Sequence, residues 1–403
     1  MTGCDVCAGT PRRGAELTSR GWPSEGLKMR IAQIAPLYES CPPQLYGGTE
    51  RVVSYLTEEL VRMGHDVTLF AAGDSRTKAR LVPGCKRSLR LDPDVMDPLA
   101  HHMSMLGRVR QQADDFDILH FHTDYLHYPT FAYGSYPIVT TLHGRQDLPD
   151  LLPVYRAFGD VPLVSISNAQ RAPLPRANWV KTVQHGLPRD LLVYGDGGGD
   201  YLAFIGRISP EKRLDRAILI AREAGIPLKV AAKVDRADRA YFHEVIEPLL
   251  DEPGVEFVGE INEEQKRGFL GNARALLFPI DWPEPFGLVM IEAMACGTPV
   301  LAFGCGSVPE VIDAHTGVVV NSMEEAHEAL PHVLALDRRA VRAQFERRFS
   351  AERMARDYVE VYEMLTRPVA VRREKTPSLI ANRNSDLYPS VEIATAARSV
   401  SAA

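Results

Sequence analysis

Glu284 and Glu292 bracket the run Glu-Pro-Phe-Gly-Leu-Val-Met-Ile-Glu, and what such a pair can do depends on how it is held. Leu288, Met290, Ile291, Met294 and Ala295 make the stretch that follows the loop an apolar helix ending at Gly297, and a helix apolar on most sides is buried. Glu292 inside it is costly unless something pairs with its charge. The hydroxyls of a ribose, each able to donate to a carboxylate, would be such a partner. At 1.5 Å per residue Glu284 stands about 10 to 12 Å from Glu292 along the axis. That is too far to share one bond and suits opposite ends of one extended ligand. Between them the backbone N–H groups from Phe286 through Gly287 and Leu288 lie at a helix N-terminus, where phosphate oxygens are favoured.

Three other stretches carry polar groups to the ends of expected strands. Phe204-Ile-Gly-Arg-Ile-Ser-Pro-Glu-Lys212 delivers Arg207 and, after a short loop, Lys212. Two fixed cations suit a diphosphate whose negative charge grows as it leaves, although a solvated basic loop would have the same composition. Tyr46-Gly-Gly-Thr-Glu50 places Gly47 and Gly48 at the start of an expected helix, where backbone comes close to a phosphate or simply turns. Thr141-Leu-His-Gly144 ends a strand with His143, either a core histidine or a ligand group. His120, His122, Asp124 and His127 cluster nearby, and a metal site there is conceivable without a defined ligand set.

These segments need a scaffold of strands and helices. Short apolar runs alternate with amphipathic stretches, the signature of βα units and parallel sheets. Strands are expected at 30–35, 66–72, 117–121, 137–142 and 162–167, then at 201–205, 228–232, 255–258, 275–278, 299–303 and 318–320. Helices are expected near 49–63, 213–224, 238–250, 263–270 and 287–295. The chain therefore divides into a disordered extension over 1–28, a first Rossmann-like domain over 29–190 opened by Met29, and a second over 201–348. Residues 191–200, with Gly195-Asp-Gly-Gly-Gly-Asp200, read as a flexible linker. An amphipathic helix over 349–367 and a disordered tail over 368–403 complete the chain. The fold class is α/β: two doubly wound domains facing a central cleft, with ligands beyond the carboxyl ends of the strands.

Composition narrows the function. With 45% hydrophobic and 24% charged residues in 403, most of the chain is globular rather than disordered or fibrous. A net charge of -6 offers no general attraction for nucleic acid or an anionic membrane, so any anion site is built locally. Cys4, Cys7, Cys41, Cys85, Cys296 and Cys305 are too few and too irregular for a disulfide framework, and a reducing cytoplasm fits them. Cys4 and Cys7 have no second pair to complete a zinc site. No apolar run is long enough to cross a bilayer; peripheral contact with a membrane stays open.

The sequence resembles the family 4 glycosyltransferases of the GT-B fold from about Met29 to Arg367. The resemblance is most specific at Glu284 to Val300, which matches the family's E-x7-E signature, and at Gly206 to Lys212. It implies that Arg207 and Lys212 hold the diphosphate of a nucleotide-sugar donor, Glu292 its ribose and Glu284 the transferred sugar. Gly47 and Gly48 would approach the phosphates from the first domain, His143 would touch the sugar, and the last helix would cross back to the first domain. It also implies transfer with retention of configuration, without a metal and with no cofactor beyond the donor. By family frequency the donor is UDP-glucose first and GDP-mannose second; the acceptor is a hydroxyl of a saccharide, a lipid-linked group or a small molecule. Cys305 departs from the pattern, since family members often carry Arg there. An epimerase or hydrolase of the same fold, or a non-catalytic sugar-nucleotide binding protein, are the alternatives, and no dinucleotide glycine fingerprint supports an oxidoreductase.

Overall fold

The computed structural model describes residues 28–44 and 47–367. Tyr46 and the extension and tail expected to be disordered lie outside this range, apart from Lys28. Met29, placed at the opening of the folded part, is buried beside Ile31 and Val52.

Seven parallel strands form the first sheet: β1 (Arg30–Ile34), β2 (Asp66–Ala72), β3 (Arg80–Cys85), β4 (Ile118–Phe121), β5 (Ile138–Thr141), β6 (Leu163–Ser165) and β7 (Trp179–Thr182). Their spatial order is β3-β2-β1-β4-β5-β6-β7. The second sheet has six: β8 (Leu202–Arg207), β9 (Leu228–Lys233), β10 (Val255–Gly259), β11 (Ala275–Phe278), β12 (Val300–Phe303) and β13 (Gly317–Val320), ordered β10-β9-β8-β11-β12-β13. Each sheet reverses its winding once, between β1 and β4 and between β8 and β11. These are the crevices where an open α/β sheet binds ligands. Arg207 ends β8 and the Glu284 loop follows β11, so the sequence has placed its charged groups at the switch point of the second sheet.

The apolar runs announce every central strand, because both faces of such a strand are covered, and the edge strands β10 and β13 as well. β3 and β7 are not announced. Both are edge strands: Pro83 and Gly84 interrupt β3, and every residue of β7 is only half-buried. Neither has the continuous apolar run of a covered strand. The helices Pro98–Gln111, Met323–Leu334 and Arg338–Arg348 are likewise additions to the expected set. The helix expected over 238–250 is broken into Arg239–Tyr241, a wider turn Phe242–Ile246 and Glu247–Leu250.

The glycine-rich run at 195–200, expected as a flexible linker, is hydrogen-bonded along its backbone to the second domain. Gly195 N–H donates to Cys296 O (3.0 Å), Gly197 N–H to Gly271 O (3.1 Å) and Gly199 N–H to Asn272 O (3.0 Å). A Cβ at Gly195 would lie 2.2 Å from Gly271 O. The glycines serve close backbone approach rather than freedom of motion.

The helix Ala351–Thr366 packs against the first-domain helix Gly48–Arg62. At the crossing, Leu187 N–H donates to Phe349 O (2.9 Å) and Ala351 N–H to Leu187 O (2.8 Å). Gly186 permits it, since a Cβ there would meet Ser350 O at 2.3 Å. One apolar core runs from Ile31 and Leu56 through Leu187 and Phe349 to Met290 and Ile291, so the two domains share buried surface.

Candidate functional site

Between the two sheets lies a cavity of about 460 Å³, and all ten side chains and glycines singled out in the sequence line it: Gly47, Gly48, His143, Arg207, Lys212, Glu284, Phe286, Gly287, Leu288 and Glu292. The first domain contributes the N-terminus of helix Gly48–Arg62 and the second that of helix Leu288–Ala295. The two ends face each other, because a Cβ on Gly48 would lie 3.8 Å from Leu288 Cδ1. A Cβ on Gly47 would press on Pro43 Cβ at 2.9 Å, so that position too depends on the absence of a side chain. Both helix ends offer unpaired N–H groups and a positive dipole end to the cavity.

The loop before Leu288 is pinned from both sides. Ser307 N–H donates to Glu284 O (2.9 Å) and Ser307 Oγ to Phe286 O (2.9 Å) within the second domain, while Ser167 Oγ of the first donates to Pro285 O (2.7 Å). Gly306 adopts φ +59°, and a Cβ there would stand 2.4 Å from Glu284 N and O. Only glycine fits where these two backbones cross. Gly287, at φ +80°, then turns the chain into the helix.

Charge within the cavity is arranged in pairs. Lys212 Nζ donates to Glu284 Oε2 (2.5 Å), which also accepts from Trp282 Nε1 (2.9 Å). The Lys212 ammonium stands 5.0 Å from the centre of the Trp282 ring. Arg207 lies 3.1 Å from Glu211 and 3.5 Å from Asp235. Glu292 is buried, and the partner its burial demands is Lys266, with Nζ 2.7 Å from Oε1. The sequence reading offered a ribose for this role; the protein supplies a lysine first. A carboxylate has acceptor sites enough for both. Lys266 belongs to the helix Glu263–Asn272, and the same helix reaches the first domain through an Arg51–Glu263 ion pair across the cleft.

His143 is half-buried, and its Nε2 lies 2.9 Å from His122 Nδ1. Burial pushes its pKa down to about 3, so the ring is neutral. It stacks on His185, with ring centres 5.3 Å apart, and His185 meets Phe286 edge-on at 4.9 Å. The histidines that suggested a metal site are otherwise engaged. His120 bonds to Tyr362 and Thr141, and His127 to Thr140. Among the described residues no group of three His, Cys, Asp or Glu side chains is placed to hold a metal ion.

Among the cavity residues that escaped the sequence reading are Arg51, His185, Lys266 and Trp282. Trp282 stands two residues before Glu284, and Arg51 three after Gly48, so proximity to the motifs could have drawn attention to both. Lys266 lies in Glu-Glu-Gln-Lys-Arg, which reads as a solvated helix face. His185 follows the unannounced β7.

The arrangement can hold an extended anion: cations and helix ends at the middle, a carboxylate at either end. Comparison with known proteins identifies the family. Residues 46–192 match the family described as Glycosyltransferase Family 4, and residues 196–348 match Glycosyl transferases group 1. The chain is similar to a phosphatidyl-myo-inositol mannosyltransferase of Propionibacterium freudenreichii, at 24% identity over 75% of this chain and 84% of that one. It is also similar to an alpha-maltose-1-phosphate synthase of Mycolicibacterium smegmatis, at 25% identity over 75% and 87%. The crystal structure of AviGT4, a glycosyltransferase involved in avilamycin A biosynthesis, superposes with a TM-score of 0.67 at 23% identity, covering 84% of this chain and 99% of that one. Two family matches in tandem over a two-domain GT-B fold place the chain among the family 4 glycosyltransferases, enzymes that transfer a glycosyl group from a nucleotide-sugar donor.

Proposed function

We propose that this enzyme moves a hexosyl group from a nucleoside diphosphate sugar to an acceptor hydroxyl with retention of configuration. The observation that carries the reading is the single cavity in which Arg207, Lys212, Glu284 and Glu292 meet two facing helix ends. Glu292, already charged against Lys266, accepts from the ribose. The diphosphate lies over the N–H groups of Gly287 and Leu288, with Arg207 and Lys212 beside it and Gly47 and Gly48 closing from the first domain. Glu284 and His143 meet the sugar, with Phe286 behind them.

In the proposed step the acceptor oxygen forms a bond to the anomeric carbon on the face from which the diphosphate leaves. The bond from that carbon to the phosphate oxygen breaks, and the acceptor's proton passes to the departing phosphate. No side chain is assigned as a nucleophile. Arg207 and Lys212 supply the charge that steadies the leaving group, the work a divalent cation does in metal-dependent transferases, so we infer a metal-independent reaction. UDP-glucose is the first candidate donor and GDP-mannose the second, the latter in keeping with the mannosyltransferase relative. The acceptor is a hydroxyl of a saccharide, lipid-linked group or small molecule. We place the enzyme in the cytoplasm; among the described residues no helix is long and apolar enough to cross a membrane.

The test is a thermal-shift panel of UDP, GDP and ADP sugars, followed by transfer assays with the stabilising donor. Stabilisation by one nucleotide series, and a product with the donor's anomeric configuration, are expected. Rapid isomerisation of the donor without acceptor would replace the transferase reading by the epimerase one.

A further inference from the structure

His143 is joined to the C-terminal helix by an unbroken set of hydrogen bonds, buried beyond His143 itself. Gln33 Nε2 donates to the Tyr362 hydroxyl (2.9 Å), and that hydroxyl stands 2.7 Å from His120 Nδ1. With an N–H already on the Tyr362 oxygen, its own proton goes to His120 Nδ1. His120 then donates from Nε2 to Thr141 Oγ1 (2.8 Å). On the other side, Gln33 Oε1 is an acceptor only, and His122 Nε2 lies 2.8 Å from it. His122 therefore carries its proton on Nε2 and presents Nδ1 as an acceptor to His143 Nε2, 2.9 Å away. Gln33, His120, His122 and Tyr362 are all buried, so water does not substitute for a missing partner.

The consequence falls on the other nitrogen of His143. Its Nδ1 is buried and has no hydrogen-bond partner, a state that costs free energy unless a ligand relieves it. We propose that Gln33, His122 and Tyr362 are positioning residues that lock His143 in its Nε2–H form, so that Nδ1 meets the transferred sugar as the acceptor of a hydroxyl proton. This rests on the sugar-nucleotide reading of the cavity. It adds a selectivity: a sugar with a hydroxyl at the contacted carbon satisfies Nδ1, whereas a carboxylate there sets two acceptors against each other. It also gives the crossing helix a part in catalysis, because the Tyr362 hydroxyl orients the Gln33 amide.

The test combines nitrogen-15 NMR of labelled histidine with kinetics. In the unaltered protein His143 is expected to carry its proton on Nε2; a proton on Nδ1 overturns the proposal outright, whatever the activity. Gln33→Leu removes the acceptor that fixes His122, and is expected to mix the two His143 forms and lower kcat about tenfold, while the Kd for UDP or GDP alone changes by less than about twofold. Gln33→Glu keeps a carboxyl oxygen facing His122 Nε2–H, so the Nε2–H form and most of the rate are expected to return; a merely structural role would not give that rescue. Unchanged tautomer and kcat in Gln33→Leu would overturn the relay. Failure of every sugar nucleotide to bind would instead remove the functional reading, and the NMR result would still decide the relay by itself.

Discussion

Lys266 Nζ lies 2.7 Å from Glu292 Oε1, and both residues are buried at the wall of the cleft. Breaking a buried pair from one side leaves an uncompensated charge, and removing either partner is expected to destabilise the fold by about 3 kcal/mol. The two variants part company in binding. Glu292→Ala also loses the acceptor proposed for the ribose, so nucleotide affinity is expected to fall by about tenfold or more, whereas Lys266→Ala leaves that carboxylate in place. Urea unfolding and calorimetric titration with the stabilising nucleotide separate the two effects. Equal affinities in both variants would take Glu292 out of the donor site.

Arg207 is expected to act on turnover more than on binding, because its charge matters most as negative charge builds on the departing phosphate. Arg207→Ala should lower kcat by about a hundredfold or more with little change in KM, the magnitude seen when one preorganised donor to a developing oxyanion is lost. A raised KM at constant kcat would make Arg207 a ground-state binding residue instead.

Much of this site was legible because α/β folds put chemistry at strand ends. The Arg207 and Glu284 segments announce themselves by charged residues directly after apolar runs, and the winding reversal between β8 and β11 brings them together. Lys266 and Arg51 were not legible, since what makes each important is a partner distant in sequence, Glu292 for one and Glu263 for the other. The amphipathic helix expected over 349–367 carries Tyr358 and Tyr362. Their rings do pack there, but periodicity says nothing of where a hydroxyl finds its partner, and Thr141 and Gln33 supply those partners from another domain. The close backbone approach at Gly195 and Gly199 was likewise not legible, because composition alone cannot tell freedom from close approach.

The contact between Glu310 and Asn168 also spans the domains. The Glu310 carboxylate accepts from Asn168 N (2.8 Å), Asn168 Nδ2 (3.0 Å) and Ala169 N (2.7 Å). Such charge-assisted bonds favour the domain arrangement seen here, and their part-exposed setting limits the gain to about 1 to 3 kcal/mol. Glu310→Ala is expected to enlarge the radius of gyration without nucleotide and to increase the compaction on adding it, measured by small-angle scattering. Identical scattering from the variant and the parent protein in both states would mean that this contact does not govern closure.

Five histidines around the relay, His120, His122, His127, His143 and His185, are held neutral because burial penalises the imidazolium. In the unfolded chain each takes up its proton near pH 6.5. Below that pH the unfolded state binds more protons than the folded one, so stability falls as pH falls. The stabilisation is complete well above pH 6.5 and is lost progressively as pH falls through that value. Asp124, Glu39 and Glu50 act in the opposite sense, because desolvation raises their pKa and the folded state keeps their protons more tightly; Asp124, pushed up to about 6, softens the loss within this range. The expected result is a urea midpoint that drops steeply between pH 7 and 5.5, with a proton uptake on unfolding well above one. Replacing His127, which bonds to Thr140 away from the cavity, with asparagine should reduce that uptake by about one proton. A flat midpoint across this range would show that the buried imidazoles take up protons in the folded state, and would remove the neutral tautomers on which the His143 geometry depends.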